Sequence, residues 1–524
     1  MTKITRTSLL KYLLPIVLFA CVFCVRLSML QKSSEPNGLD GYFYALQARS
    51  FVETGHLENP SHEPGYYLCG ICSLFTKNPI LGVKVWSALS SAGIALALFV
   101  LVYFLTGRFL LSLLALLLPA ASPTLSVFGI NYINNQTGLF FLILYAASLV
   151  KLNEIPPAFN LKNFVVILIS VLLFLLSCLC HKVSMMYALL LTFFFFMRKG
   201  FSFIREKKSH FQIKNRFLRV SVIVTSTAIL ITGIFIVICF LALHSPRFLH
   251  AFDFPDLPVF HKKFMNEVDL GVIEMSVYAP LLYILSLFML IKKAAGRSLV
   301  FLVPFIYFPL WNLDSDMGLR MWMNAVPLGL PLFLYFFHSL FPLNLDSAGK
   351  KKFVTVSSVF FCAFASLLWF TYKVTPTFYN PKKDPPYSYY KKVVSKIQLP
   401  ADTLLIAHLG LNHVYTYYNG LKDALNWLPD FEIAPEKTWR LSYGVNSSYL
   451  ESFFEEHALS DEIQNKIPNN YADLIEPIDS KYTLLREDLW QFYLSHEEPE
   501  IAETYKNWYN PHEVRPSYIR KVKK

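Results

Sequence analysis

The sequence predicts a polytopic α-helical membrane protein of about eleven transmembrane helices, followed by a C-terminal extracytoplasmic α/β domain. Three observations carry this reading. The 524 residues are 54% hydrophobic and only 16% charged, with 47 Phe and 29 Tyr, whereas soluble domains carry charge at roughly a quarter of positions. Apolar runs long enough to span a bilayer recur through residues 1–372, and such runs need about 20 residues each. Residues 373–524 then change character, with 18 Lys+Arg and 21 Asp+Glu. An ordinary soluble enzyme and a disordered chain are both excluded.

The expected spans lie near 9–30, 80–106, 109–128, 134–151, 163–180, 183–197, 220–243, 276–291, 298–312, 321–341 and 353–372. The first follows Lys3, Arg6 and Lys11 like a signal peptide, yet no A-x-A-like cleavage site follows it and Arg26 interrupts it. It reads as a retained start-transfer helix with its N-terminus inside. From that start, the loops on the cytoplasmic side hold 20 Lys+Arg, including eight from Arg198 to Arg219, against 10 in the rest of residues 1–372. Acids run the other way, 3 inside (Glu154, Glu206, Asp346) and 12 elsewhere in the same stretch. The net charge of +12 is thus an orientation signal in which basic loops stay inside, and nucleic acid is not an expected partner. The basic 198–219 loop suits anionic lipid head groups.

An odd number of spans puts the C-terminus outside. Residues 373–390 form a turn-rich linker, Thr375-Pro-Thr-Phe-Tyr-Asn-Pro-Lys-Lys-Asp-Pro-Pro386 at its centre, and residues 391–524 form the soluble domain. Strand-like runs (Thr403 to Ala407, Ala424 to Leu428, Thr438 to Tyr443) alternate there with helical ones (Leu411 to Tyr418, Ser447 to Glu456). The eight Cys lie mostly in apolar runs, and Cys21/Cys24 and Cys69/Cys72 lack a second ligand pair, so they read as small buried side chains.

Ionisable groups are costly in apolar surroundings, so those gathered at one membrane face are the first candidates for chemistry. The external loop 31–78 contains Gly38-Leu-Asp-Gly-Tyr-Phe-Tyr, with Asp40 heading a helical stretch whose apolar positions Tyr44, Ala48, Phe51 and Val52 suit a membrane interface. By itself Asp40 reads as a helix N-cap. The order of first span, Asp-bearing external loop with aromatics and an Ala-rich helix, then the re-entry Ser61-His-Glu-Pro-Gly-Tyr-Tyr67, resembles GT-C glycosyltransferases. Within them it is most similar to the polyprenyl-phosphate-sugar enzymes of the protein O-mannosyltransferase and aminoarabinose-transferase type. The resemblance covers residues 1–340 as architecture and implies a GT-C-like domain over 1–372 with Asp40 as the catalytic carboxylate near the acceptor. Many members carry a second acid beside it, where this chain has Gly41.

A lipid phosphate leaves readily, so one base and several cations suffice for transfer, unlike the paired carboxylates of glycoside hydrolysis. Direct displacement inverts the anomeric centre. Lys182 and His181, at the outer end of the fifth span, are candidate phosphate ligands, with a snorkelling helix-end lysine as the alternative. Arg320 could grip phosphate in a bidentate fork or pair with Asp316 at i, i+4. Asp314 and Asp316 form an Asp-x-Asp unaccompanied by a glycine-rich phosphate loop. His62, Glu63, Tyr42 and Tyr44 are possible substrate contacts, although an interfacial turn and an aromatic belt explain them too. The 244–275 loop is long enough to cover a site, and His408 and His413 have no zinc spacing.

These groups imply a glycosyltransferase of the bacterial cytoplasmic membrane. It would move a hexose or pentose from a polyprenyl-phosphate-linked donor to an external lipid, glycan or protein. No cofactor is expected to be required; a divalent metal stays open but is not indicated. A flippase of lipid-linked sugars and a non-catalytic scaffold are the alternatives; the lack of an internal repeat and the crowding of charge on one face disfavour the flippase.

Overall fold

The structure is a computed structural model and describes residues 6–38, 40–59, 61–154, 161–206, 323–324, 327–331, 334, 365–366, 368–369, 371–372, 387–399, 403–407, 409–419, 424–425, 437–443, 446–458 and 468–496. The expected spans at 220–243, 276–291 and 298–312 and the 244–275 loop lie outside the described residues, as do most of 321–341 and 353–372. Backbone contacts divide the chain into two units, residues 1–32, 62–68 and 84–376 in the first and 33–61, 69–83 and 377–524 in the second. The sequence boundaries differ, because the loop 31–78 was expected to belong wholly with the spans. Most of that loop instead groups with the C-terminal segment, through buried side chains described below.

In the first unit, α1 (Arg6–Leu30), α4 (Pro79–Thr106), α7 (Ile133–Glu154) and α8 (Leu161–Cys180) are helices long and apolar enough to cross a membrane, and α9 (Lys182–Glu206) follows after a single-residue break. The core joins Leu98, Leu101, Phe128, Leu142, Tyr187 and Leu191 with Met323 and Leu328. On α8, Leu161, Ile167, Leu168, Leu172 and Leu175 stay exposed, as a helix facing acyl chains requires. The chain is a multi-pass membrane protein.

The span expected at 109–128 is broken. Helix α5 (Phe109–Leu117) passes through a 3-10 turn at Leu118–Ala121 into α6 (Pro123–Asn131), and the two arms bend by 59°. Pro119 and Pro123 remove backbone donors, and Ser122 is extended at the break, its hydroxyl accepting from Leu125 N at 3.2 Å. Arg26 of α1, only 3% exposed, supplies donors that the prolines removed. Its guanidinium donates to the Pro119 carbonyl, to the Ser122 carbonyl at 3.0 Å and to the Ser126 hydroxyl. The charge that seemed to interrupt the first span is therefore bound to the broken one.

The second unit contains α2 (Gly41–Thr54) and a five-stranded mixed sheet in the order β2-β1-β3-β5-β4. Strands β1 (Leu404–Ile406), β2 (Ala424–Leu425) and β3 (Thr438–Tyr443) run parallel, while β4 (Ile475–Pro477) and β5 (Tyr482–Arg486) complete an antiparallel edge. Helices α10 (Tyr387–Val394), α11 (Leu409–Asn419), α12 (Ser447–Ala458) and α13 (Glu487–His496) pack around it. Helix α10 begins inside the segment read as linker, since Tyr387, Val393 and Val394 enter the same apolar cluster as Tyr42, Leu411 and Leu441. The stripe of α2 expected to face the membrane is largely covered by protein. Tyr44 and Ala48 are buried, and Phe51 lies where a Cβ on Gly70 would come within 2.4 Å of its ring.

Candidate active site

Asp40 stands immediately before α2, closing a turn that begins at Gly38. Gly38 has φ +77°, a conformation glycine adopts without penalty, and its carbonyl accepts from Gly41 N at 3.4 Å. Asp40 has φ −93° and ψ 14°, in the bridge region where the third residue of a type I turn and many active-site residues sit. Its carbonyl begins the helix by accepting from Tyr44 N at 3.0 Å, but its side chain makes no capping hydrogen bond. Capping of α2 is thus not the task of the Asp40 side chain.

The side chains around this turn come from the far end of the sequence. Tyr387 of α10, 2% exposed, donates its hydroxyl to Gly38 O at 2.6 Å. Tyr42 is 1% exposed, donates to Glu35 Oε2 and meets Tyr418 Oη at 2.8 Å, with the Tyr387 ring edge-on at 4.8 Å. Burial, followed by these hydrogen bonds, pushes the Tyr42 hydroxyl far above its ordinary range, so it stays protonated. Tyr42 and Tyr44 are both buried in the second unit, Tyr42 within the apolar cluster that holds Tyr387, Leu411 and Leu441. Lys391, Tyr418 and Glu35 form a partly exposed set, Lys391 Nζ lying 3.5 Å from Glu35 Oε1 and 4.7 Å above the Tyr418 ring.

A separate polar group occurs in the first unit. Helix α7 opens with Asn134-Asn135-Gln136-Thr137, all buried in an otherwise apolar bundle. Asn134 Nδ2 donates to Glu63 Oε2 at 2.5 Å, and a Cβ on Gly65 would come within 2.0 Å of Asn134 Oδ1, so the re-entry turn and α7 touch where only glycine fits. The Glu63 carboxylate is within electrostatic reach of Cys180, which ends α8. The next two residues are His181 and Lys182. His181 Nδ1 accepts from Val183 N at 3.2 Å, which caps α9 and leaves the ring proton of the neutral imidazole on Nε2. Lys182, half-buried, is the first residue of α9. A cation at the positive end of a helix dipole is unfavourable alone and becomes favourable when an anion sits beside it.

Glu63 thus lies near the end of α8, which His181 and Lys182 follow in the chain, while Asp40, Tyr42 and Tyr44 belong to the other unit. His62 is exposed beside Glu63. Arg320, Asp314, Asp316 and His408 lie outside the described residues. Asn324, four positions after Arg320, donates to Asn135 Oδ1 at 3.1 Å. Sequence reading missed Asn134, Asn135 and Tyr387; the run Asn131-Tyr-Ile-Asn-Asn-Gln-Thr137, four amides between apolar segments, was the available signal for the first two. Among the described residues no three His, Cys, Asp or Glu side chains gather as a metal ion needs.

No protein-family model and no curated protein matches this sequence. Solved structures do. The apo structure of ArnT from Cupriavidus metallidurans aligns with a TM-score of 0.54 at 11% identity, over 90% of this chain and 97% of that one. The same protein bound to undecaprenyl phosphate gives 0.54 at 11% over 92% and 98%. The Archaeoglobus fulgidus oligosaccharyltransferase, in complex with Zn and sulfate, gives 0.52 at 10% over 85% and 70%. The chain has a GT-C fold. At such low identity the likeness concerns the path of the backbone, and the GT-C architecture expected from the first external loop is what it shows.

Proposed function

We propose that the protein is a membrane glycosyltransferase that moves a sugar from a polyprenyl-phosphate-linked donor to an acceptor on the outer side of the bacterial cytoplasmic membrane. The observation that carries this reading is Asp40, which heads α2 in a GT-C fold with its side chain not engaged in capping. In the proposed reaction the acceptor hydroxyl oxygen attacks the anomeric carbon and its proton passes to the Asp40 carboxylate. The bond from that carbon to the phosphate oxygen breaks, its electron pair leaves with the polyprenyl phosphate, and the anomeric centre inverts. Lys182 and Arg320 are assigned to the charge that grows on the departing phosphate, with His181 beside Lys182. One of the two solved ArnT structures holds undecaprenyl phosphate, which supports the choice of carrier. The reaction draws on no resident metal or cofactor, and the acceptor is an envelope lipid, glycan or protein.

The test uses purified protein, an envelope extract as acceptor source and a panel of radiolabelled polyprenyl-phosphate pentoses and hexoses. Transfer should release free carrier at a rate unchanged by a chelator. Asp40→Asn should lower the rate by at least about a thousandfold while binding of undecaprenyl phosphate persists, because a lost general base costs roughly that much. Full activity in Asp40→Asn would remove the assignment. Movement of donor across vesicles without chemistry would instead indicate a flippase.

A further inference from the structure

Two helices of the second unit end alike. Helix α12 runs through Phe453-Phe-Glu-Glu-His457 near its end, and α13 finishes on Phe492-Tyr-Leu-Ser-His496, so each carries a Phe and, four residues on, a His in its last turn. Positions four apart share a helix face, and each imidazole lies against its own phenyl ring with the centroids 4.1 Å apart. Each Nδ1 also meets the carbonyl oxygen of that Phe, at 2.7 Å in α12 and at 2.9 Å in α13, where Ser495 Oγ is a second neighbour at 2.9 Å. A carbonyl can only accept, so Nδ1 carries the proton in both rings, and a neutral imidazole of this kind has its lone pair on Nε2. Histidines that bind metal ions are commonly held this way, one nitrogen donating to a backbone carbonyl and the other facing the ion.

The two imidazoles are neighbours, with centroids 5.3 Å apart and ring planes inclined at 69°. Metal–nitrogen bonds of about 2.0–2.1 Å put an ion about 3.2 Å from the centre of each ring that binds it, so two rings on one tetrahedral ion stand about 5.2 Å apart. The observed spacing matches. Both histidines also sit at helix C-termini, where the backbone carbonyls present partial negative charge that favours a cation. His457 is half-buried and His496 exposed, so an ion reaches them from solvent.

We propose that His457 and His496 chelate a divalent transition-metal ion of the zinc, nickel or copper class at the paired ends of α12 and α13. Nitrogen ligands select such ions over magnesium and calcium, which take oxygen. Among the described residues no third His, Cys, Asp or Glu joins the pair. Water therefore completes the coordination, and the ion is exchangeable, unlike one in a closed structural site. It ties together the last turns of two helices that also meet through Phe453, Phe454 and Phe492. The site does not depend on the transferase reading, since these rings belong to the cluster of Leu450 and Trp490 and not to that of Tyr42 and Tyr387.

The test uses the full-length protein without a polyhistidine tag and Zn²⁺ as probe, followed by titration calorimetry. His457→Phe and His496→Phe each keep a ring over the neighbouring phenyl while removing one ligand, and each should weaken Zn²⁺ binding at this site about a hundredfold, because a tethered second ligand acts at high effective concentration. At ten times its Kd, Zn²⁺ should slow amide hydrogen exchange in the last turns of α12 and α13 about tenfold in the parent, by mass action on the folded state. Neither variant should show that protection. Cu²⁺ bound to the parent should give an electron paramagnetic resonance spectrum split by two imidazole nitrogens, lost in both variants. Should a Phe variant fail to fold, the corresponding Gln variant is titrated in its place. Zn²⁺ binding equal to the parent in either variant overturns the chelate. So does exchange in these turns that Zn²⁺ leaves unchanged in the parent.

Discussion

Gly41 follows Asp40 where the family resemblance leads one to expect a second acid, and packing shows why none can stand there. A Cβ at this position would lie 2.8 Å from the Pro36 Cβ, 3.3 Å from the Pro36 carbonyl carbon and 3.4 Å from the Tyr387 ring. Pro36 cannot swing aside as a flexible chain would, so Gly41→Asp must displace the turn that carries Asp40. The expected outcome is a loss of about 1–3 kcal/mol in unfolding free energy, typical of overpacking, and near-complete loss of transfer. Thermal unfolding of the full-length protein together with the carrier-release assay checks it; a Gly41→Asp variant as stable and active as the parent would show that the turn yields freely. Asp40 itself was legible because Gly-Leu-Asp-Gly followed by apolar residues at helical spacing is a local signal. Its neighbour Tyr387 was not, since that contact joins residues 349 positions apart and neither partner is unusual in its own window.

Two elements of the second unit, β3 and α13, are bound by an ion pair. Arg440 of β3 donates Nε and Nη2 to Glu487 Oε2 and Oε1 at 2.7 and 2.8 Å, and its guanidinium lies 5.4 Å from the centre of the Trp490 ring. The side chains are only 8% and 2% exposed, so neither charge has water to fall back on. Arg440→Met should therefore strand the Glu487 carboxylate and cost about 3–5 kcal/mol, whereas adding Glu487→Leu should recover most of the loss because the pair is then replaced by apolar packing. Chemical unfolding followed by tryptophan fluorescence measures both; equal stability of the single and double variants would show the pair to be marginal. Of these elements, β3 and α12 were readable from strand-like and helical runs, and α11 from the apolar period through Leu411 to Tyr418. Strand β5 was not, because Tyr482, Thr483, Leu484 and Leu485 are all buried and so show no alternation of apolar and polar residues.

For the whole molecule, the decisive feature is the break between α5 and α6, because it fixes the sidedness of everything downstream. If residues 109–131 cross the membrane as one bent span, the alternation expected from the basic loops holds, and Lys151 with Glu154 lies inside while His181 and Lys182 lie outside. If the bent pair instead returned to the side it entered, every later loop would invert and the candidate phosphate ligands would face the cytoplasm. Length and apolarity alone could not separate these cases in the sequence, since the prolines at 119 and 123 mark a break without saying where the second arm goes. Charge favours the crossing: the loops assigned inside hold 20 basic residues against 10 elsewhere in residues 1–372. Alkaline phosphatase fused after Asn59 or after Lys524 should be active, and fused after Arg108 or after Glu154 inactive, since the enzyme folds only outside the cytoplasm where its disulfides form. Activity at Glu154 with inactivity at Arg108 would mean that the pair at 109–131 returns to the side it entered. It would also put Lys182 on the cytoplasmic side, ending its assignment to the departing phosphate.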